Sequence, residues 1–211
     1  MINAIQRRAL LVAGLIVAAA TVVAQPAPWL SAEAHAAQVS EFQRELNAEY
    51  RDPAQSPLPP TVLKGFGGLP FYPINYDCYV DATFVRDSTA APFFMPTSKP
   101  RQAPYRKCGE LRFSLNGQAL HLTVYQNLDL LKKPGYENYL FVPFTDATNG
   151  HGTYGGGRYL DLRSPLAASI LLDFNRAYNP YCAYSDRYSC PIPPAENHLR
   201  GPVPAGVMSD H

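Results

Sequence analysis

No run of like charge appears anywhere in this sequence, and no basic stripe of the kind a nucleic-acid backbone requires. A polybasic segment for binding a membrane surface is missing as well. There is no G-x-S-x-G elbow, which removes that route to serine hydrolase chemistry. The close cysteine pairs of zinc ribbons are absent, and no metal-ligand spacing stands out. No uncharged apolar run reaches the roughly 20 residues that span a bilayer. Internal repeats are not found. Long helical patterns are scarce too, and 21 prolines and 14 glycines in 211 residues argue against a helical bundle.

What is present favours strands. The chain holds 14 tyrosines and 10 phenylalanines, residue types that suit a pleated, half-buried surface. A hydrophobic content of 46% in 211 residues is enough for one domain with a core.

Residues 1–36 read as a signal peptide. Arg7-Arg8 forms a basic start and Ala9–Ala24 an uncharged apolar run. Ala34-His35-Ala36 fits a small-x-small cleavage site, and Val22-Val23-Ala24 offers an earlier one. The paired arginines are compatible with twin-arginine export. The expectation is an exported protein, periplasmic or extracellular, with no stable membrane span after processing. Removing Arg7, Arg8 and Glu33 leaves the 18 basic and 17 acidic residues in balance. Residues 37–211 then form a single globular domain. Its four cysteines imply two disulfides in an oxidising compartment, with the sequence-local pairing Cys78–Cys108 and Cys182–Cys190 preferred among the three available.

Ala37–Arg51 carries Val39, Phe42, Leu46 and Tyr50 at helical steps, which predicts an amphipathic helix ending before Pro53. Tyr79–Arg86 alternates as a strand. Ser88–Tyr105, with four prolines, reads as a long irregular loop. Glu110–Gln126 is a hairpin around Asn116-Gly117, a pair that accepts positive φ. That turn pairs Leu115 with Gln118, Phe113 with Leu120 and Leu111 with Leu122, so both apolar sets share a face. His121 then pairs with Arg112 on the exposed side. Asn138–Phe144, Arg158–Leu162 and Ile170–Phe174 complete about six strands. The expected fold is mainly β, a single antiparallel barrel or sandwich-like domain with an N-terminal amphipathic helix and long irregular loops.

Special-purpose residues crowd between Phe141 and Asn197. The runs D-A-T-N-G-H-G-T-Y-G-G-G-R-Y-L-D-L from Asp146, D-F-N-R-A-Y-N-P-Y-C-A-Y from Asp173 and C-P-I-P-P-A-E-N-H-L from Cys190 resemble a bacterial and archaeal family catalogued as domain of unknown function 1684. Ser56–Pro59, Gly65–Pro73 and Phe141–Asp146 fit the same pattern, so the resemblance spans about Val39 to Gly206. It implies no activity. Such proteins tend to finish with A-G-E, whereas Val207 follows Ala205-Gly206 here.

Two functional readings stand side by side. One is a binding domain for a small molecule, glycan or protein partner, using the glycine-rich loop 146–158 and the loop 175–197. Its candidate residues are Tyr154, Arg158, Asn175, Tyr178, Tyr181 and Glu196, with the tyrosines supplying flat amphipathic surface. The other is a hydrolase-type, metal-assisted enzyme using Asp146, His151 and Asp161, since imidazole and carboxylate suit both divalent ions and proton transfer. The glycine-rich stretch precedes a strand, so it is neither a dinucleotide fingerprint nor a P-loop, and a tight turn explains it well. Arg158 is expected to form a structural ion pair with Asp173 or Glu196. No cofactor and no oligomeric state can be read from these residues.

Overall fold

The computed structural model describes residues 29–209. The basic start and apolar run of the expected leader lie outside them. Helix α1 spans Ala32–Arg51, with Ser31 as its N-cap accepting from the Ala34 N–H at 3.2 Å. Its stripe of His35, Val39 and Tyr50 is buried. The helix therefore begins upstream of the expected cleavage at Ala36, and His35, in that segment, is built into the fold. No helix among the described residues is long and apolar enough to cross a membrane.

Seven strands follow: β1 (Tyr79–Arg86), β2 (Phe93–Pro96), β3 (Gln102–Leu115), β4 (Gln118–Asn127), β5 (Tyr139–Phe144), β6 (Arg158–Arg163) and β7 (Ser169–Asp173). They form one antiparallel sheet in the order β6-β5-β4-β3-β1-β7, with β2 beside β3, curled into a half-barrel. The hairpin register is the one expected: Leu115 faces Gln118, Phe113 faces Leu120, Leu111 faces Leu122 and Arg112 faces His121. Asn116 has φ 52° and Gly117 φ 74°, as the two-residue turn demands.

The Ser88–Tyr105 stretch departs from expectation. It contains β2 and the start of β3, paired from Phe93↔Tyr105 to Pro96↔Gln102. Its prolines hid the pairing, yet β2 lies off the main path of the sheet, where a missing N–H costs little.

A bulge divides β3. Lys107 pairs with Tyr125, and the next pair is Gly109 with Val124. The extra residue, Cys108, reverses which side chains face which layer. Before it, Ala103 and Tyr105 join Tyr125, Phe141 and Tyr159 in one cluster. After it, Leu111, Phe113 and Leu115 join Leu122, Val124, Val142 and Phe174 in the main core. One sheet thus buries a different cluster on each face. Gly109 has φ 152°, and a Cβ there would overlap the Val85 carbonyl oxygen.

Neither expected disulfide is closed, and all four cysteines are free thiols. For Cys78 and Cys108 the register forbids it. Cys78 precedes the first residue of β1, while the Cys108 carbonyl accepts from Asp87, just past the last. Eight residues of strand, roughly 25 Å at the usual rise, lie between the two ends. A bridge needs Cα atoms within about 7 Å. Cys182 and Cys190 are neighbours, the Cys182 N–H lying 3.2 Å from the Cys190 Sγ.

Strands β4 and β5 share a single register pair, Tyr125↔Phe141, and then diverge. The C-terminal segment fills the split. Asn197 accepts from the Thr123 N–H at 2.8 Å and donates to the carbonyls of Thr123 at 2.9 Å and Pro143 at 2.7 Å. Its own carbonyl accepts from the Thr145 N–H at 3.0 Å and the Leu199 N–H donates to the Thr145 carbonyl at 2.8 Å, so the chain runs there as a surrogate strand.

Candidate ligand-binding cleft

Alternation on β5 and β6 separates two kinds of residue. Arg158, Leu160 and Leu162 point to the main core side with Leu140 and Val142. Tyr159 and Asp161 take the opposite face, in register with Pro143 and Phe141. With Tyr139 they floor a cleft of about 730 Å³. Helix α1 supplies one wall through Phe42, Leu46 and Glu49, and the C-terminal loop another through Tyr178, Tyr181 and Tyr188.

The rings are packed edge to face. Phe141 and Tyr159 have centroids 4.7 Å apart, Tyr159 and Tyr178 5.9 Å, and Tyr181 and Tyr188 5.1 Å. Tyr178 is fixed by a two-way backbone bridge to Tyr159, at 2.9 and 3.1 Å. Tyr181 donates its hydroxyl to Glu49 and so ties the loop to the helix. Arg187 adds a second tie, to the Ser56 carbonyl at 2.8 Å.

Asp161 is the polar focus of the floor. Its Oδ1 accepts from the hydroxyls of both Tyr139 and Tyr178, each at 2.7 Å. Oδ2 has no hydrogen-bond partner among the described residues. The carboxyl is exposed to the open cleft, with the Tyr139 and Tyr178 rings crowding it. Desolvation raises its pKa above the usual carboxylate value, against the lowering effect of the two phenols and of Arg163 and Arg176. Burial also pushes the Tyr139 and Tyr178 phenols well above their normal range, so both stay protonated donors.

Asp161 does not meet the other two residues of the expected acid–base set. Asp146 is inside the protein, where Arg158 Nη2 reaches its Oδ2 at 2.7 Å and neither side chain is exposed. Its Oδ1 accepts from Thr148 N–H, Thr148 hydroxyl and Val203 N–H at 2.8, 2.6 and 3.1 Å. His151 is exposed at the tip of the glycine-rich turn. Asp146 adjoins the face of β6 opposite to Asp161, through Arg158. No three His, Cys, Asp or Glu side chains come together as a metal-ligand set among the described residues.

The other candidates divide in the same way. Tyr178 and Tyr181 line the cleft. Arg158 is wholly buried and pairs with Asp146, not with Asp173 or Glu196; it also donates to the carbonyls of Ala205 and Val203 and lies 5.2 Å from the Phe144 ring centre. Asp173 is met by His35 instead, at 3.0 Å, and Glu196 by Lys107 and the Tyr125 hydroxyl. Asn175 bonds Asn75 and Asp173 and holds the end of β7. Tyr154 sits half-buried beside Cys182, its hydroxyl 4.0 Å from the sulfur and its pKa pushed up to about 12, chiefly by desolvation. The glycine-rich turn closes on itself. Asn149 Nδ2 donates to Thr153 hydroxyl and the Tyr154 carbonyl at 3.0 and 2.9 Å, and none of the turn's residues lines the cleft.

The sequence reading did not single out Glu49, Tyr105, Tyr139, Phe141 or Tyr159. A signal existed for three of them: alternation along Asn138–Phe144 and Arg158–Leu162 places Tyr139, Phe141 and Tyr159 with Asp161. Glu49 and Tyr105 needed the tertiary fold.

Comparison with known proteins gives a family and solved structural relatives. The solution structure of the uncharacterized protein from gene locus rrnAC0354 of Haloarcula marismortui is 35% identical, with a TM-score of 0.66, over 84% of this chain and 96% of that one. No curated protein matches. The family model described as "Protein of unknown function (DUF1684)" matches residues 64–208, which include the whole sheet and the C-terminal loop that walls the cleft. On that match, over more than half its length, the chain belongs to the DUF1684 family.

Proposed function

We propose that the protein binds a small organic molecule in the tyrosine-lined cleft. The observation that carries this is the floor itself: a carboxylate held by two phenols at the base of a cleft of about 730 Å³ with aromatic walls. A concave, ring-lined site with few convergent polar groups is the usual form of a small-molecule pocket. Asp161 keeps a free oxygen there although desolvation disfavours its charge, a cost that structure alone does not require. The test is a ligand screen by thermal shift on the wild type and on Tyr178→Ala. Compounds that raise the melting temperature of the wild type should lose at least about tenfold in affinity in the variant, the usual weight of a central aromatic contact. Hits that bind both proteins equally would place the site elsewhere.

Export belongs to this reading, with the cleavage point moved. A cut after Ala36 would remove the first turn of α1 and the His35 contact with Asp173. The Val22-Val23-Ala24 site leaves α1 whole. N-terminal sequencing of the exported protein should therefore begin at Gln25, and a start at Ala37 would refute the proposal.

Of the two disulfides, Cys182–Cys190 is the one retained. The two sulfurs adjoin, the Cys182 N–H lying 3.2 Å from the Cys190 Sγ; interaction with Cys190 lowers the Cys182 pKa, and the pair needs no strand to move. Mild oxidation of purified protein should remove two hydrogens and yield one cross-linked peptide, Cys182 to Cys190. Cys78 and Cys108 should stay alkylatable after unfolding. A Cys78–Cys108 peptide from native protein would contradict the register.

A further inference from the structure

We infer that the ligand is an organic cation, an ammonium group carried on an apolar or aromatic body. This rests on the cleft being the ligand site. Two carboxylates line it from opposite sides, Glu49 on α1 and Asp161 on β6, and no lysine, arginine or histidine does. Each acid has one oxygen engaged by tyrosine hydroxyls, and the second oxygen of each has no partner among the described residues. The rest of the lining is dominated by ring faces and edges, whose quadrupoles attract positive charge. A neutral ligand would leave both acids desolvated and unpaired, and an anion would add repulsion.

The nearest basic groups do not remove the demand. Arg163 is on the same strand as Asp161 and faces the same side, but donates to the Gly135 carbonyl and Asn138 Oδ1 at 2.9 and 3.2 Å and packs against Tyr136 and Tyr139. Arg176 lies over the Phe42 ring, 5.0 Å from its centre. Both soften the field at Asp161, and neither lines the cleft. Arg187 lies 4.9 Å from the Tyr188 ring centre and Arg101 donates to the Ser189 carbonyl at 3.0 Å, but neither is part of the lining. The other titratable groups of the lining are seven tyrosine phenols and the Cys190 thiol, with Tyr105, Tyr139, Tyr159 and Tyr178 shifted upward by burial. They serve as neutral donors and ring walls, which leaves the two carboxylates as the charged groups in the lining.

The decisive probe is a pair of isosteres that differ only in charge. Choline and 3,3-dimethylbutan-1-ol have the same shape, as have benzyltrimethylammonium and neopentylbenzene. Each is titrated into the full exported chain, followed by the NMR signals of the cleft tyrosine rings. The ammonium partner of each pair should bind at least about tenfold tighter than its neutral twin, a preference in the range of desolvated cation–π and charge pairing. Asp161→Asn should close most of that gap while leaving the neutral compound unaffected. The preference should also fade as pH falls through the raised Asp161 pKa, because protonation removes the attracting charge. Equal or tighter binding of the neutral twins overturns the cation and leaves the cleft standing as a site. Failure of both members of both pairs also overturns it, and if the general screen yields no cleft ligand either, the underlying reading falls with it.

Discussion

Asp146→Ala should destabilise the protein by about 3–5 kcal/mol, the cost of leaving a buried charge without its partner. The Arg158 side chain is completely buried, so no water can take the place of a lost partner. With Asp146 gone it keeps two carbonyl acceptors, Ala205 and Val203, but no negative charge. The Thr148 N–H, the Thr148 hydroxyl and the Val203 N–H lose an acceptor at the same time. The control is Asp146→Ala combined with Arg158→Met, which removes both charges and keeps most of the packing on Phe144. In urea titrations the double variant should be more stable than Asp146→Ala alone, although below the wild type. A double variant that simply sums two independent losses would mean that the pair matters through shape and not through charge.

Asn197→Ala comes next in size, at about 2–4 kcal/mol, since an orphaned buried backbone group costs roughly 1–3 kcal/mol. The side chain answers three such groups at the split between β4 and β5, where the strands share only one register pair. Asn197→Asp should be no better, because a carboxylate would face two carbonyl oxygens. Amide hydrogen exchange gives the specific readout. The Thr123 N–H should lose protection in the variant by more than the global loss of stability explains, as the split opens locally. Uniform loss across all seven strands would show that Asn197 acts on the whole sheet and not at the split.

Much of the fold was legible from local pattern. β1 and the hairpin could be read residue by residue because alternation and the Asn116-Gly117 turn agree. The helix stripe was legible too, though its start at Ala32 was masked by a cleavage-like motif. What sequence could not supply was partner choice across distance. Arg158 was expected to pair with Asp173 or Glu196, while Asp146 and Asp161 stood nearer in the chain. Only the opposite-face geometry of β6 selects Asp146 for it and gives Asp161 to the cleft. The cysteines misled for a related reason. Nearness in sequence favours a loop closure, but a strand running away from Cys78 carries the chain to the far end of the sheet before Cys108 returns. The carboxylate cleft was half visible: its floor lies in two alternating strands and one wall in a patterned helix, while the other wall comes from a C-terminal loop with no pattern of its own.

Helix α1 carries a further implication for how the protein assembles. It is the first described element, yet its main ties are to the end of the chain: His35 to Asp173, Glu49 to Tyr181, and just beyond it Ser56 to Arg187. Each closes a loop of more than 130 residues. The entropy of closing such loops is met only once the sheet has already brought the ends together. The cleft is accordingly a late structure. A chain stopped before about residue 173 can pair β1 to β6, but lacks the three partners that tie the helix region to the C-terminal segment. Its tyrosine-lined face then stays open to water, and to other unfinished copies, until the last fifth of the sequence is made.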